Sequence, residues 1–166
     1  MLDEKVDINV VEPMSNATVP FRTTLQVRDH CLCLHVQRAA RTLARRFDDA
    51  LRPVQLSHGQ FSLLMSLNSA APVSIGALAA HLAMDRTTLT ANLKPLERRG
   101  LVMITIDPVD RRGRQLSLTD AGHAALLVAL PIWRRTLRAV ERQLPGPGAA
   151  PLLTGLQALV HDGVRG

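Results

Sequence analysis

The sequence predicts a mainly α-helical fold with one small β-hairpin, and three observations support this. Apolar residues recur every three or four positions in several segments, which is the spacing of an amphipathic helix. Residues 101–106 are β-branched and apolar, and residues 115–118 alternate polar and apolar as a returning strand would. Aromatic residues make up only 2% of the 166 residues, with no Tyr. The core should therefore consist of Leu, Ala and Val packed between helices.

Residues 74–99 read as two short helices joined by a tight break at residues 83–84. Ser74 is a natural N-cap for the first helix, and Asp85 is one for the second. In the second helix Leu89, Leu93 and Leu96 recur at helical spacing and should point inward. The opposite face carries small hydroxyls and cations. Two such helices joined by a short turn are typical of the helix-turn-helix arrangement.

A hairpin with an arginine-rich tip follows, because Gly100 ends the second helix and residues 107–114 form a basic loop between the two strands. Helix, turn, helix and hairpin together indicate a winged helix-turn-helix. Hydroxyls at a helix N-terminus suit the major groove, and tip arginines suit the minor groove. The candidate DNA-contacting residues are Arg86, Thr87, Thr88, Thr90, Lys94, Arg98, Asp110, Arg111, Arg112 and Arg114. The alternatives are a solvated charged turn at the tip, capping or surface roles in the helix, and a Thr90 hydroxyl that bonds back to the Arg86 carbonyl.

Local signals mark where the other helices begin and end. Pro53 should end the helix before it, Ser57 and Gln60 can form a capping box, and Thr119 should cap a later helix.

The remaining segments suggest four regions. Residues 1–27, with two prolines and no clean periodicity, are expected to form an extended arm or a frayed tail. Residues 28–56 are expected to form a first dimerisation helix, and residues 57–120 are expected to form the winged helix-turn-helix. Residues 121–166 are expected to form further dimerisation helices, with a kink at Pro131 and a break at residues 145–148. Neither end region can bury its apolar stripe on a small winged helix, so an intertwined homodimer is expected. Its two recognition helices would then lie one DNA turn, about 34 Å, apart.

An ordered series of short motifs runs through the chain: Gln60-Phe61, Ile75-x-x-Leu78-Ala79-x-x-Leu82, Asp85-Arg-Thr-Thr-Leu-Thr90, Leu96-Glu-Arg-Arg-Gly-Leu-Val102, Asp107-Pro-x-Asp-Arg-Arg112 and Leu118-Thr-x-x-Gly122. These motifs resemble those of the MarR (multiple antibiotic resistance regulator) family over roughly residues 30–145. The resemblance implies a homodimer on double-stranded DNA that binds a palindromic operator, usually as a repressor released by a small molecule or by oxidation. It also implies that Arg112 enters the minor groove with Asp110 as its orienting partner, and that a ligand pocket lies near His35, Arg38, Phe61 and Met65.

Two positions depart from the family pattern. Ala91 replaces a common arginine, which removes a donor to bases or phosphates. Pro95 lies inside the recognition helix, where it deletes one backbone hydrogen bond and should bend the helix. Both changes bear on which operator is read.

Composition excludes several classes of protein. A net charge of +6 and a pI near 10.9 favour nucleic acid or another anionic partner. No run of 18 apolar residues is present, so no membrane partner is expected. Two cysteines do not make the disulfide framework of a secreted protein, so the cytoplasm is the expected location. The sequence also lacks a Ser-His-Asp order, a paired-carboxylate cleft, a Gly-rich phosphate loop and a CxxC pair. We therefore expect neither an enzyme nor a bound cofactor.

Cys31 and Cys33 lie within a His-Cys-Leu-Cys-Leu-His run that has three interpretations. The simplest is two small apolar residues in the dimer core. The second is a thiol switch, since Cys33 precedes Phe61 by a spacing similar to that of the reactive cysteine in the hydroperoxide-sensing branch of the family. This chain lacks the tyrosines of that branch, however, so no hydrogen-bond donor to the thiol is expected. A metal sensor is the third, but the four side chains would not converge on one helix face. A protein-interaction winged helix without DNA binding is a further, remote alternative.

Overall fold

The structure is a computed structural model that describes residues 18–146 and 148–162. Contacts divide the chain into two compact units, one up to Ala39 and one from Ala40 onward. In the described part of the first unit, helix α1 spans Phe21–His30, and helix α2, Leu32–Leu51, begins after Cys31.

The extended arm predicted for residues 1–27 is wrong from residue 21 onward, because α1 begins there. Pro20 has φ −59° and ψ 140°, and its carbonyl accepts the N–H of Thr23 at 2.9 Å. A proline immediately before a helix loses no helical hydrogen bond, so here it starts a helix where an extended segment was expected. The continuous helix predicted from residue 28 is also interrupted, since Cys31 has ψ 101°. Residues 1–17 lie outside the described residues.

The second unit contains the predicted helix-turn-helix and hairpin. After α2, a 3₁₀ turn at Arg52–Val54 contains the proline expected to end the helix. Strand order in the antiparallel sheet is β1-β3-β2, so a two-residue strand that the sequence did not reveal extends the hairpin. The elements are α3 (His58–Ser66), β1 (Val73–Ser74), α4 (Ile75–His81), α5 (Arg86–Arg98), β2 (Val102–Ile106), β3 (Arg114–Leu118), α6 (Asp120–Glu141) and α7 (Ala149–Asp162).

Local side-chain caps begin the helices where the sequence predicted. Ser57 and Gln60 form the predicted capping box, with bonds of 3.0 and 3.1 Å. Ser74 accepts the Ala77 N–H at 3.1 Å, and Thr119 accepts the Gly122 N–H at 3.1 Å. Helices α5 and α6 both continue past their internal prolines, Pro95 and Pro131.

Leucine dominates the core, as the scarcity of aromatic residues predicted. The inward residues of α5 are all buried, and among the described residues no polar or charged side chain is fully buried. The largest fully buried side chains are Leu51, Leu64, Leu67, Leu78, Leu89, Leu93, Leu96 and Leu116.

A glycine brings α6 close to the base of the wing. An added Cβ at Gly122 would lie 2.2 Å from the Leu101 carbonyl oxygen, a distance that no side chain tolerates. That same carbonyl accepts the Thr119 N–H at 3.2 Å. The first turn of α6 therefore packs directly on the strand that leads into the wing. Within the described parts of the chain, no helix is long and apolar enough to cross a bilayer.

Candidate nucleic-acid interface

The recognition helix α5 begins at a fully formed cap. The Asp85 carboxylate accepts the Thr88 N–H at 2.8 Å and the Thr88 hydroxyl at 2.6 Å. The hydrogen bond from the Thr88 hydroxyl, followed by the bond from its N–H, lowers the pKa of Asp85. Since the Thr88 hydroxyl donates its proton to Asp85, its oxygen can only accept from another partner.

Thr90 and Thr87 differ in what their hydroxyls can offer to DNA. Thr90 donates its proton to the Arg86 carbonyl at 2.7 Å, which confirms the back-bonding predicted as an alternative. Thr87 is exposed, and no hydrogen bond involves its side chain within the described chain. Of the three threonines, Thr87 is therefore the best placed to donate to a base edge or a phosphate.

The cations of α5 face solvent. Arg86, Lys94 and Arg98 are all exposed. The ion pairs between described residues are Arg28–Asp29 and Arg52–Asp49, and neither involves this helix. Ala91 lies beside Lys94 and Arg98 in a shallow surface depression. The Glu97 carboxylate lines the same depression, so the surface beside Ala91 carries two cations and one anion.

A carboxylate closes the loop at the wing tip. Asp107 accepts the N–H groups of Val109 at 2.8 Å and Asp110 at 3.2 Å, and these backbone bonds lower its pKa. Its own N–H donates to the Gly113 carbonyl at 3.2 Å, and Gly113 donates back to the Asp110 carbonyl at 2.8 Å. The tip is therefore a hydrogen-bonded turn.

Asp110 contacts the main chain of Arg112. Its carboxylate accepts the backbone N–H of Arg112 at 3.0 Å, and no bond joins it to the guanidinium. A short side chain two residues before that N–H reaches it easily, as in an Asx turn. The Arg112 guanidinium makes no hydrogen bond or ion pair with the described residues and is exposed. Asp110 thus orients the main chain of Arg112 and leaves its charge available.

The other two tip arginines are also exposed. Arg114 donates from Nη1 to the Gly113 carbonyl at 3.0 Å and to the Arg111 carbonyl at 3.5 Å. The Arg114 side chain therefore folds back against the backbone of the tip. No hydrogen bond from the Arg111 side chain is formed within the described ranges.

The helix-turn-helix and the wing share one cleft of about 500 Å³. It brings together Arg86 from the recognition helix with Arg112 and Arg114 from the wing. Seven other residues line it, and the sequence assigned only two of them to DNA contact, although the Asp-Pro pair before the tip was a usable signal for Asp107. These residues are Ser74, Ile75, Gly76, Thr90, Asp107, Asp110 and Gly113, of which Thr90 and Asp110 had been predicted as DNA contacts.

Two residues of the predicted ligand pocket, Phe61 and Met65, line a separate cleft of about 310 Å³ between α3 and α6. Its other lining residues are His58, Ser62, Ser66, Leu130 and Trp133. His35 and Arg38 belong to the first unit, so their place in a pocket remains a prediction. His58 and Trp133 were not identified from sequence, although Trp133 is the only tryptophan of the chain.

The two cysteines have hydrogen-bond donors that the sequence did not predict. Gln37 donates from Nε2 to the Cys33 sulfur at 3.3 Å, and the Leu34 N–H donates to the Cys31 sulfur at 3.4 Å. Gln37 lies one helical turn after Cys33, which explains the contact. Cys33 is exposed and Cys31 is half-buried within the single chain. Among the described residues, no three side chains of the types that bind metals converge.

A three-stranded wing beside a helix-turn-helix, with unpaired cations on both, defines a winged helix-turn-helix protein of the transcriptional-regulator class. The sequence profile of the MarR family matches residues 56–113. Together with the solved relatives below, this match confirms the resemblance: the chain belongs to the MarR family.

Two solved structures share both fold and sequence with the chain. The M. tuberculosis transcriptional regulator MosR, in complex with DNA, is 34% identical with a TM-score of 0.73, over 81% of this chain and 96% of that one. The transcriptional repressor CouR, bound to a 23-mer DNA duplex, is 30% identical with a TM-score of 0.69, over 81% and 95%.

A curated relative matches over a shorter stretch. The HTH-type transcriptional regulator SarZ of Staphylococcus aureus (strain USA300) is 28% identical over 93 residues, which is 56% of this chain. The chain thus spans 63% of the length of SarZ. All three relatives are transcriptional regulators, and none is an enzyme.

Proposed function

We propose that this MarR-family regulator binds a palindromic operator as a homodimer and acts as a repressor. The observation that supports this most directly is the cleft in which Arg86, Arg112 and Arg114 meet. Two carboxylates also line it, but Asp107 and Asp110 accept backbone N–H groups of the tip. The three guanidiniums form no ion pair with these carboxylates and remain available to phosphates. The relatives MosR and CouR are both solved in complex with DNA.

In this proposal the N-terminus of α5 enters the major groove and Arg112 enters the adjacent minor groove. Thr87 is the candidate donor to a base edge, while the Thr88 and Thr90 oxygens act as acceptors. Lys94, Arg98, Arg111 and Arg114 contact phosphates, which position the protein without reading sequence.

Dimerisation is proposed from the apolar surface of the last helix. Leu152, Leu153, Leu159 and Val160 of α7 are each about half exposed, at 49–58% of their full surface. Contiguous exposed apolar side chains of this kind mark an interaction surface. We assign residues 57–120 to DNA binding, and residues 28–56 and 121–166 to pairing with a second copy.

The signal that releases DNA is proposed to be a small molecule in the cleft lined by Phe61 and Met65, with His35 and Arg38 as further candidates. Ligand binding would favour a spacing of the two recognition helices that the operator does not accept. Oxidation of Cys33 is a second candidate signal, favoured by the exposure of this residue and by the hydrogen bond that Gln37 donates to its sulfur. Since the target is genomic DNA, we propose a cytoplasmic location.

Selection of genomic fragments by the purified protein tests the proposal. Recovered sites should contain inverted repeats whose half-site centres lie about 10 base pairs apart. Affinity for such a site should fall steeply with salt, since each neutralised phosphate adds about 0.9 to the slope of log K against log salt. Failure to enrich any duplex, at low salt, would refute DNA binding.

A further inference from the structure

The recognition helix α5 ends at a short joint, residues 99–101, which separates it from strand β2. Gly100 has φ 67°, and its N–H donates to the Glu97 carbonyl at 2.8 Å. The Leu101 N–H donates to the Leu96 carbonyl at 3.0 Å. Backbone hydrogen bonds around a left-handed glycine close the last turn of a helix. The joint is therefore an ordered part of the fold, and whatever it bonds to is coupled to the recognition helix.

The exit of the chain from the wing is bonded to this joint. Thr119 is the single residue between β3 and α6. Its hydroxyl donates to the Gly100 carbonyl at 2.6 Å, and its N–H donates to the Leu101 carbonyl at 3.2 Å. The same hydroxyl oxygen accepts the Gly122 N–H at 3.1 Å as the cap of α6. One hydroxyl thus joins the first turn of α6 to the end of the recognition helix.

The entry of the chain into the winged helix-turn-helix is bonded to the joint as well. The Arg99 guanidinium donates from Nη1 to the Gln55 carbonyl at 2.7 Å, across 44 positions of sequence. Gln55 follows the 3₁₀ turn after α2 and has φ 56°. Both crossings between the DNA-binding region and the segments that we assign to dimerisation are therefore hydrogen-bonded to the same joint.

The bond from Thr119 to Gly100 is separable from the cap of α6. A cap needs only an oxygen that accepts an N–H, and aspartate supplies one as well as threonine does. The bond to the Gly100 carbonyl needs a proton donor, which an ionised aspartate lacks. Substitutions can therefore remove one function of the hydroxyl and keep the other.

We propose that Thr119 is a positioning residue for operator binding: by holding the recognition helix to the start of α6, it sets the half-site spacing that the dimer accepts. Arg99 holds the same joint on the side of α2. Because α6 belongs to the region assigned to pairing, its angle to α5 fixes the distance and the rotation between the two recognition helices. Moving one half-site by one base pair shifts it by about 3.4 Å and rotates it by about 35°. This inference rests on the proposed function, since it concerns a dimer on a palindrome.

Operators with altered spacing test the role of Thr119. Wild type, Thr119→Ser and Thr119→Asp are each titrated with the selected operator and with versions that have one base pair more or fewer between the half-sites. Serine keeps both the cap and the proton, whereas aspartate keeps the cap and loses the bond to Gly100. The preference for the selected spacing should fall roughly 5- to 10-fold in Thr119→Asp, which is the effect of one hydrogen bond, and should persist in Thr119→Ser.

The ratio of affinities isolates positioning from stability. A variant that is merely less stable loses affinity for all three duplexes equally, so its preference for one spacing does not change. An unchanged preference in folded Thr119→Asp would overturn the proposal.

Arg99 provides a second test that leaves the cap of α6 intact. Its side chain is exposed, so truncation should not affect folding. Arg99→Ala should lower the spacing preference, and Arg99→Lys, which keeps a donor, should restore part of it. Arg98→Ala is the matched control, because losing a phosphate contact weakens binding at every spacing and keeps the preference. If Thr119→Asp does not fold, equal preferences in Arg99→Ala and Arg98→Ala overturn the role of the joint.

A measurement without DNA separates this inference from the proposed function. Nitroxide labels on Thr87→Cys, in a chain that carries Cys31→Ser and Cys33→Ser, report the distance between the two recognition helices by pulsed electron paramagnetic resonance. The distance distribution should be narrow, and it should broaden when Thr119→Asp is added but not when Thr119→Ser is added.

The combined outcomes assign each failure. If the distribution broadens as expected but no duplex is selected, the proposed function fails and Thr119 still holds the two helices in place. If an operator is selected but Thr119→Asp keeps the wild-type spacing preference, this inference fails and the proposed function stands. A labelled protein without dipolar coupling forms no such dimer, which would refute both.

Discussion

Replacing Arg112 with alanine should weaken operator binding strongly while leaving the protein itself unchanged. The Arg112 guanidinium is exposed and makes no hydrogen bond or ion pair with described residues. The bond that shapes the tip uses its backbone N–H, which donates to Asp110 at 3.0 Å and survives truncation to alanine. Unfolding free energy and dimer mass should therefore be those of the wild type.

The magnitude follows from what one guanidinium contributes to DNA binding. A guanidinium that reaches a groove or phosphate contributes about 1–2 kcal/mol, and a homodimer on a palindrome loses two of them. The expected loss of about 2–4 kcal/mol corresponds to roughly 30- to 1,000-fold in Kd. Two fewer neutralised charges should also reduce the slope of log K against log salt by about 2.

Fluorescence anisotropy of a labelled operator, titrated at several salt concentrations, measures both quantities. Arg134→Ala is the matched control, because it removes the same charge from a position on α6 that has no described hydrogen bond or ion pair. An Arg112→Ala protein whose Kd and salt slope equal those of Arg134→Ala would show that the wing does not contact DNA.

Three other predictions concern stability and signalling. Gly122→Ala should destabilise the protein by about 1–3 kcal/mol or prevent folding, because the new Cβ would meet the Leu101 carbonyl at 2.2 Å; Gly155→Ala, with open space around it, should be tolerated in the same urea titration, and equal midpoints would contradict the close packing. The Asp85 carboxylate has a lowered pKa, so its stabilisation should be fully present above the ordinary carboxyl pKa and lost as the pH falls through the lowered value. The difference in melting temperature between wild type and Asp85→Asn should accordingly shrink on acidification, and a difference independent of pH would speak against the charged cap. If oxidation is the signal, peroxide should release the operator from wild type but not from Cys33→Ser; a variant that still responds would exclude this thiol.

Features that depend on neighbours three or four residues away were predictable. The caps at Ser57, Ser74, Asp85 and Thr119 form as expected, because each side chain needs only an N–H within its own first helical turn. The same applies to the inward face of α5, whose leucines follow the helical repeat. Helix α1 was not predicted, because a proline such as Pro20 precedes extended segments as readily as it precedes helices.

The DNA-contacting surface was predicted in composition but not in detail. Charge and position along the hairpin identified the tip arginines. Which atom Asp110 would contact depended on the closed geometry of the turn, and its carboxylate reaches the Arg112 N–H rather than the guanidinium. The contribution of Arg86 to the same cleft as the wing arginines also required the folded arrangement.

The sequence alone specified the order of the helices from residue 57 onward, the inward leucines of α5 and the arginine-rich tip, and these features indicate the family. The folded chain was needed to show that Val73 and Ser74 pair with β3, and that His58 and Trp133 line the same cleft. The physical reason is distance along the chain. A cap or a helical face is specified by residues one turn apart, whereas a two-residue strand and an aromatic cleft exist only once segments tens of residues apart have packed together.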